Sequence, residues 1–274
     1  MAVTLAEYQQ ICYNLLCKLD DICKENDFKL VLLYGTALGA VRHDGFIPWD
    51  DDIDVMMTYK DYRKLKKIFK KNNNVIDGIS LTDFELDPET PHCLPRLRYN
   101  SSRVREVGTE ELNINNGIWL DIFTSCYCAK NPKIEALQLY LVGLTMMLHE
   151  KHRNRYKSRH GDNEHKKIKI YRIAEAMPEW LRLRSIDILQ RITAALGTKK
   201  SGKYFGNCGY TTTSRVMPAR IYDDTIEHIF VNREFQIPAD YDYYLTKCFG
   251  SNYMTPIKDH IHVSMDHVEI FRED

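Results

Sequence analysis

The segment GTALGAVRHDGFIPWDDDIDVMM, residues 35–57, carries Asp50, Asp51, Asp52 and Asp54, four carboxylates within five residues, and runs directly into apolar sequence. Desolvated carboxylates are costly, so a positive partner is expected beside them. Side chains alternate along a strand, so a strand over 52–57 turns Asp52 and Asp54 to one face while Ile53 and Val55 enter the core. Two carboxylates held that close raise one pKa unless a divalent cation neutralises the pair. Oxygen-only ligands point to Mg²⁺ or Mn²⁺ rather than zinc. Asp50, Asp52 and Asp54 also match the first, third and fifth positions of an EF-hand loop. That reading fails, because Val55 and Asp61 stand where Gly and Glu are needed.

Just upstream, KLVLLY (29–34) reads as a short buried strand, and TALGAVRH opens a helical turn. Gly35 and Thr36 at that junction offer backbone N–H groups and a hydroxyl to an anion, the elements of a phosphate cradle. Further out, residues 4–26 have the three-and-four apolar spacing of an amphipathic helix, and 58–72 form a charged one. Residues 73–115 alternate short strands and turns, with RLRYN (96–100) the clearest strand, and GIWLDIFTSC (117–126) is another. Asp121 in that last strand either completes a metal-binding edge with Asp52 and Asp54 or ends the strand against an arginine. Helices follow at 133–157 and 178–196, and a shorter one at 240–250. The fold class is therefore α+β: a mixed-sheet core within residues 1–130, including the N-terminal helix, and a helical and mixed region at 131–274 that packs with it as one unit.

With 274 residues, 44% of them hydrophobic, the chain can bury a sizeable core. Its 38 basic and 38 acidic residues cancel, which removes the general electrostatic case for nucleic acid. The N-terminus lacks a basic n-region, which argues against a secretory signal, and LQLYLVGLTMML (137–148) is shorter than a membrane span. Eight scattered cysteines without a CxxC pair fit reduced thiols and a cytoplasmic location. Cys126 and Cys128, with His149 or His152, read as small strand-end residues rather than a zinc site. The run 151–172, with nine Lys or Arg against two acids, reads as a solvated helix face, the alternative being attachment to an anionic membrane.

GTALGAVRHDGFIPWDDDID, together with GIWLDIFT and FVNREFQIPADYDYYLTKCFGSNYMTP, resembles the LicD family of phosphotransferases. The broader group includes fukutin-type enzymes, and the resemblance implies a nucleotidyltransferase fold. It implies roles for Gly35 and Thr36 at the donor phosphates, for Asp52, Asp54 and Asp121 as catalytic metal ligands, and a place for Asp51 in the substrate-binding block. It also implies transfer of a substituted phosphate, typically phosphocholine from CDP-choline, to a sugar hydroxyl of a surface glycan or its lipid-linked precursor. CDP-ribitol or CDP-glycerol donors, and transfer of a nucleoside monophosphate, are the alternatives.

The charge balance of a diphosphate donor calls for cations, and Arg42, His43, Arg96, Arg98 and Arg103 are the candidates, Arg96 and Arg98 sharing one strand face. A choline headgroup calls for aromatic walls, for which Tyr99, Tyr210, Tyr241, Tyr243 and Tyr244 are available.

Overall fold

In the computed structural model, residues 3–106, 109, 112–159, 176–205, 216–257 and 265–271 are described. Helix α1 (Leu5–Glu25) begins with a reciprocal cap: the Thr4 hydroxyl accepts from Glu7 N, and the Glu7 carboxylate accepts from Thr4 N. Its apolar stripe, with Tyr8, Cys12, Leu15, Leu16, Leu19 and Cys23 buried, packs on the sheet. Strand β1 (Val31–Leu32) leads into α2 (Tyr34–His43), then β2 (Asp54–Thr58) and α3 (Tyr59–Lys71), which is capped by Thr58. Strands β3 (Ile79–Thr82), β4 (Arg96–Tyr99), β5 (Ser102–Val104) and β6 (Trp119–Tyr127) follow. Then come α4 (Pro132–Arg159), α5 (Glu179–Ala195), β7 (Lys203–Phe205) and β8 (Val216–Pro218). The chain ends with α6 (Arg220–Asp223), β9 (Thr225–Phe230), β10 (Arg233–Pro238), α7 (Tyr241–Phe249) and β11 (Val268–Ile270).

The main sheet has seven strands in the order β1-β2-β6-β4-β3, extended by β7 and β8 from the far end of β6. Among the described strands, only β2 and β6 pair in parallel; the other pairs are antiparallel, so the sheet is mixed. β6 is the axis of the fold because it is long enough to hold β4 near Asp121 and β7 near Cys126. Its alternating Leu120, Ile122, Thr124 and Cys126 are buried, as are Val55 and Met57 on β2.

The architecture is α+β, as the hydrophobic periods indicate. The boundaries differ in two instructive places. β1 covers only two residues, because Tyr34 turns out of the strand with φ 43°, placing Gly35 inside the helix rather than at the strand end. β2 begins at Asp54, so Asp52 lies in the segment leading to the strand. None of the described cysteines is in a disulfide.

Candidate active site

Asp54 is fixed at its backbone from two sides. Its N–H donates to the Thr36 hydroxyl at 2.8 Å, and its carbonyl accepts from Leu33 N at 3.0 Å. Thr36 is itself buried, so its hydroxyl positions the acidic segment instead of facing a ligand. At the start of α2, the first-turn N–H groups have no acceptor within the helix, which makes this end a natural anion site. A Cβ built on Gly35 would stand 2.8 Å from Asp50 Oδ2 and 4.0 Å from Asp52 Oδ1. The glycine therefore lets two carboxylates approach the helix start.

These groups line a cleft of ≈ 680 Å³. Its walls include Gly35, Asp50, Asp52 and Asp54, the cations Arg42 and Lys247, and the aromatics Tyr34, Trp49, Phe249 and Tyr253. The C-terminal segment holds the acidic loop from the other side. Arg42 Nη1 donates to Tyr253 O at 2.7 Å, Tyr34 N to the Tyr244 hydroxyl at 3.1 Å, and Val231 N to Asp44 O at 2.7 Å. From α1, Gln9 Nε2 donates to Asp50 O at 2.7 Å. His43 accepts from Arg42 Nε at 3.0 Å; burial and the adjacent guanidinium hold its pKa below the ordinary histidine value.

Asp121 stands in register with Asp54 across the parallel β2–β6 pair, and with Arg96 across β6–β4. All three project from the same face of the sheet. Asp121, inside β6 rather than at its end, therefore neighbours Asp54 and also meets an arginine. Arg96 Nε donates to Asp121 Oδ1 at 2.8 Å and Nη1 to Glu106 Oε1 at 3.1 Å, while Trp119 Nε1 donates to Asp121 Oδ2 at 3.3 Å. The guanidinium lies 4.3 Å from the centre of the Trp119 ring. Glu106 also bonds His92 Nε2 at 2.7 Å. Burial pushes His92 down to about 4, while His92 and Arg96 hold Glu106 below the ordinary glutamate value despite burial. Among the described residues, no three His, Cys, Asp or Glu groups come close enough together to hold a metal ion by themselves.

The remaining sequence candidates separate from this cleft. Asp51 is buried at 2% exposure, close enough to Tyr8 and Cys12 to help raise their pKa values, and does not line the cleft. Arg98 is fully buried, donating to Gly117 O at 2.9 Å and stacked 5.3 Å from Trp119. Arg103 is exposed on β5, opposite Glu269 of β11. Tyr210 lies outside the described residues, as does His152 in its side chain. Lys247 and the walls formed by Trp49 and Tyr253 escaped the sequence reading. The signal for Lys247 was its place in the 240–250 helix, inside the last of the resembling blocks.

Residues 27–107 match the family described as LicD/FKTN/FKRP, nucleotidyltransferase domain. The chain is 25% identical to the lipopolysaccharide cholinephosphotransferase LicD of Haemophilus influenzae, over 93% of both proteins. Shorter similarities reach uncharacterized proteins of Rickettsia prowazekii, 39% identical over 20% of this chain and 21% of that one, and of Rickettsia typhi, 41% identical over 18% and 16%. The matched family region contains β1, α2, β2 and the whole acidic loop, the elements that shape one wall of the cleft. The chain is thus similar to LicD-type phosphotransferases along 93% of its length, with the match to the LicD/FKTN/FKRP nucleotidyltransferase domain at residues 27–107.

Proposed function

We propose that the protein transfers phosphocholine from CDP-choline to a sugar hydroxyl of a surface glycan or its lipid-linked precursor, with Mg²⁺ or Mn²⁺ as cofactor. The observation that carries this reading is the cleft in which Asp50, Asp52 and Asp54 face the open end of α2, with Arg42 and Lys247 on its walls. The name of the Haemophilus relative supports the phosphocholine group and the glycan acceptor. A nucleotidyltransferase-like sheet within residues 1–130, and a 131–274 region completing the substrate site, belong to the same reading.

The donor set fits a hard divalent cation. It consists of carboxylate oxygens, and a glycine leaves space beside two of them. Mg²⁺ is commonly held through one or two carboxylates, with substrate phosphates completing its shell, so a closed protein cage is not required. Asp52 and Asp54 would hold it, with Asp121 in register beside them. Bound there, the ion would supply neutralisation of the diphosphate as the nucleoside monophosphate departs.

The chain's own groups do the rest. First-turn amides of α2 at Gly35 and Thr36 would receive a phosphate oxygen, and Arg42 and Lys247 would balance its charge. Thr36 keeps Asp54 in register through the 2.8 Å bond to its amide. Asp121, held by Arg96, is oriented by two fixed hydrogen bonds and would accept the proton of the attacking hydroxyl. Arg96 acts here as the positioning residue for Asp121, and His43 positions Arg42.

A thermal-shift screen of CDP-choline, CDP-glycerol, CDP-ribitol and nucleoside triphosphates, each with Mg²⁺ or Mn²⁺, tests the donor. CDP-choline is expected to give the largest stabilisation, on the order of 2–3 kcal/mol at a hundredfold excess over Kd. A larger shift with CDP-ribitol or CDP-glycerol would move the assignment to that donor. A shift with triphosphates alone would replace it with transfer of a nucleoside monophosphate.

A further inference from the structure

The acidic loop has to retrace α2. It leaves the helix at Asp44 and returns to its first turn, where Asp50 and Asp52 approach Gly35. A helix of 10 residues is about 15 Å long, so the reversal must be abrupt. Asp44 makes it with φ 51°, its N–H bonded to Ala40 O and Gly39 O, and Gly45 N donates to Gly39 O at 3.4 Å. A Cβ on Gly39 would stand 2.4 Å from Gly45 O, so the returning chain lies directly on the helix backbone. The Asp44 carbonyl at this reversal accepts from Val231 N at 2.7 Å.

Val231 is the first central residue of the two-residue β9–β10 turn, since Phe230 and Arg233 pair across it. Its φ is 65°. Hairpin turns fill such a position with glycine, asparagine or aspartate, and a β-branched residue there is an outlier. Asn232, which would tolerate positive φ, stands in the other position of the turn. Core packing does not explain the valine, which is 43% exposed. Its side chain meets the loop reversal instead: a Cβ on Gly45 would stand 3.5 Å from Val231 Cγ2. The turn is held from behind. Phe230 is fully buried, with its ring 5.0 Å from Phe46 of the acidic loop and 6.3 Å from Phe235. The Tyr13 hydroxyl donates to Asn232 Oδ1, and Arg233 Nη2 lies 2.7 Å from Asp20 Oδ2 on α1. Backbone strain persists only where the surroundings over-determine it, and it gathers where position matters to function.

We propose that the tip of the β9–β10 hairpin is a clamp on the acidic loop, with Val231 a positioning residue for Asp50 and Asp52 through the Asp44 carbonyl. Gln9 and Thr36 hold the later part of the same segment, at Asp50 O and Asp54 N. Val231 supplies the anchor at its start. The clamp follows from geometry alone, while its effect on turnover rests on the functional reading above.

The test is Val231→Gly in the full chain, read by hydrogen exchange and by steady-state kinetics with CDP-choline and Mg²⁺. Glycine takes positive φ without steric cost, so the melting temperature should be unchanged or higher. It also frees the tip and removes the methyl group lying on Gly45. Amides of residues 44–50 are then expected to exchange about tenfold faster, as a locally opening segment does. With Asp50 and Asp52 less well placed, kcat should fall about tenfold with the donor KM little changed. Val231→Ile, which keeps the branched side chain, should behave as wild type in both measurements. Ile229→Ser, at an exposed position of the same hairpin, should do so too. Unchanged exchange at 44–50 in Val231→Gly would overturn the clamp. Faster exchange with unchanged kinetics would overturn the positioning role, as would an equal loss of rate in Ile229→Ser. The exchange result needs no substrate, so its failure and the failure of the CDP-choline reading are separate observations.

Discussion

Gly35 shows how one missing side chain shapes the cleft. Its backbone lies in the ordinary helical region, so alanine there meets no conformational strain, and helix propensity favours the change by up to about 1 kcal/mol. The new methyl group would nevertheless stand 2.8 Å from Asp50 Oδ2. Gly35→Ala is therefore expected to keep or slightly raise the melting temperature while lowering kcat by about tenfold to a hundredfold, the scale of an ångström misplacement. Steady-state rates beside a thermal melt check this, and an unchanged rate would show that Asp50 and Gly35 are not part of the working site. Arg96 gives a complementary case. Its guanidinium is held by Asp121 and Glu106 and is largely buried, with 12% side-chain exposure. Arg96→Met would leave two carboxylates without their cation, at a cost of about 3–5 kcal/mol. A fall in melting temperature on the order of 10 °C is expected. A stable, inactive Arg96→Met would instead assign this arginine to the substrate.

At the level of elements, the α4–α5 pair joins the core through a histidine whose charge matters to folding. His149 is buried with its ring 5.2 Å from Phe84, and among the described residues its Nε2 meets no hydrogen-bond partner. Burial, helped by Arg182, lowers its pKa from 6.5 to about 4. The unfolded chain takes up this proton as pH falls through 6.5, while the folded protein resists it until about 4. Stability contributed by the neutral ring is therefore present above pH 6.5 and lost progressively toward pH 4, in total on the order of 3 kcal/mol. His149→Leu should flatten that part of the acid limb, narrowing the difference between denaturant melts at pH 7 and pH 4.5. His92, also depressed to about 4, keeps the remaining slope, and Asp87, pushed up to about 6 by burial, works in the opposite sense in both proteins. An identical pH dependence in wild type and variant would show that His149 does not stay neutral in the folded chain.

Over the whole molecule, local patterns and long-range pairings were unequally legible. Helices α1 and α3 follow from amphipathic spacing and their threonine caps, and β2 and β6 from apolar runs bounded by polar turns. The neighbourhood of Asp54 and Asp121 could be argued from their shared hydrophobic–acid–hydrophobic setting, and the register pairs them. What pattern alone could not supply was the partner of each charge. Arg96 and Arg98 look identical along β4, yet one faces two carboxylates and the other bonds a carbonyl beside Trp119. Asp51 sits among the cleft acids in sequence but is buried away from the cleft, because neighbouring side chains of an extended segment point in opposite directions. Lys247, Tyr253 and Trp49 reach one cleft only after the chain returns from residue 240 onward to the loop at 42–50. Such contacts depend on closure of the whole fold.

The direct test of this account is phosphorus NMR of CDP-choline incubated with a sugar acceptor and Mg²⁺, comparing wild type with Asp52→Asn and Asp54→Asn. Wild type is expected to release CMP and form a new phosphodiester on the sugar. Either variant should do so about a hundredfold more slowly, or worse, with its melting temperature retained, as befits loss of a preorganised electrostatic group. Full turnover in both variants, or pyrophosphate release in place of CMP, would contradict it.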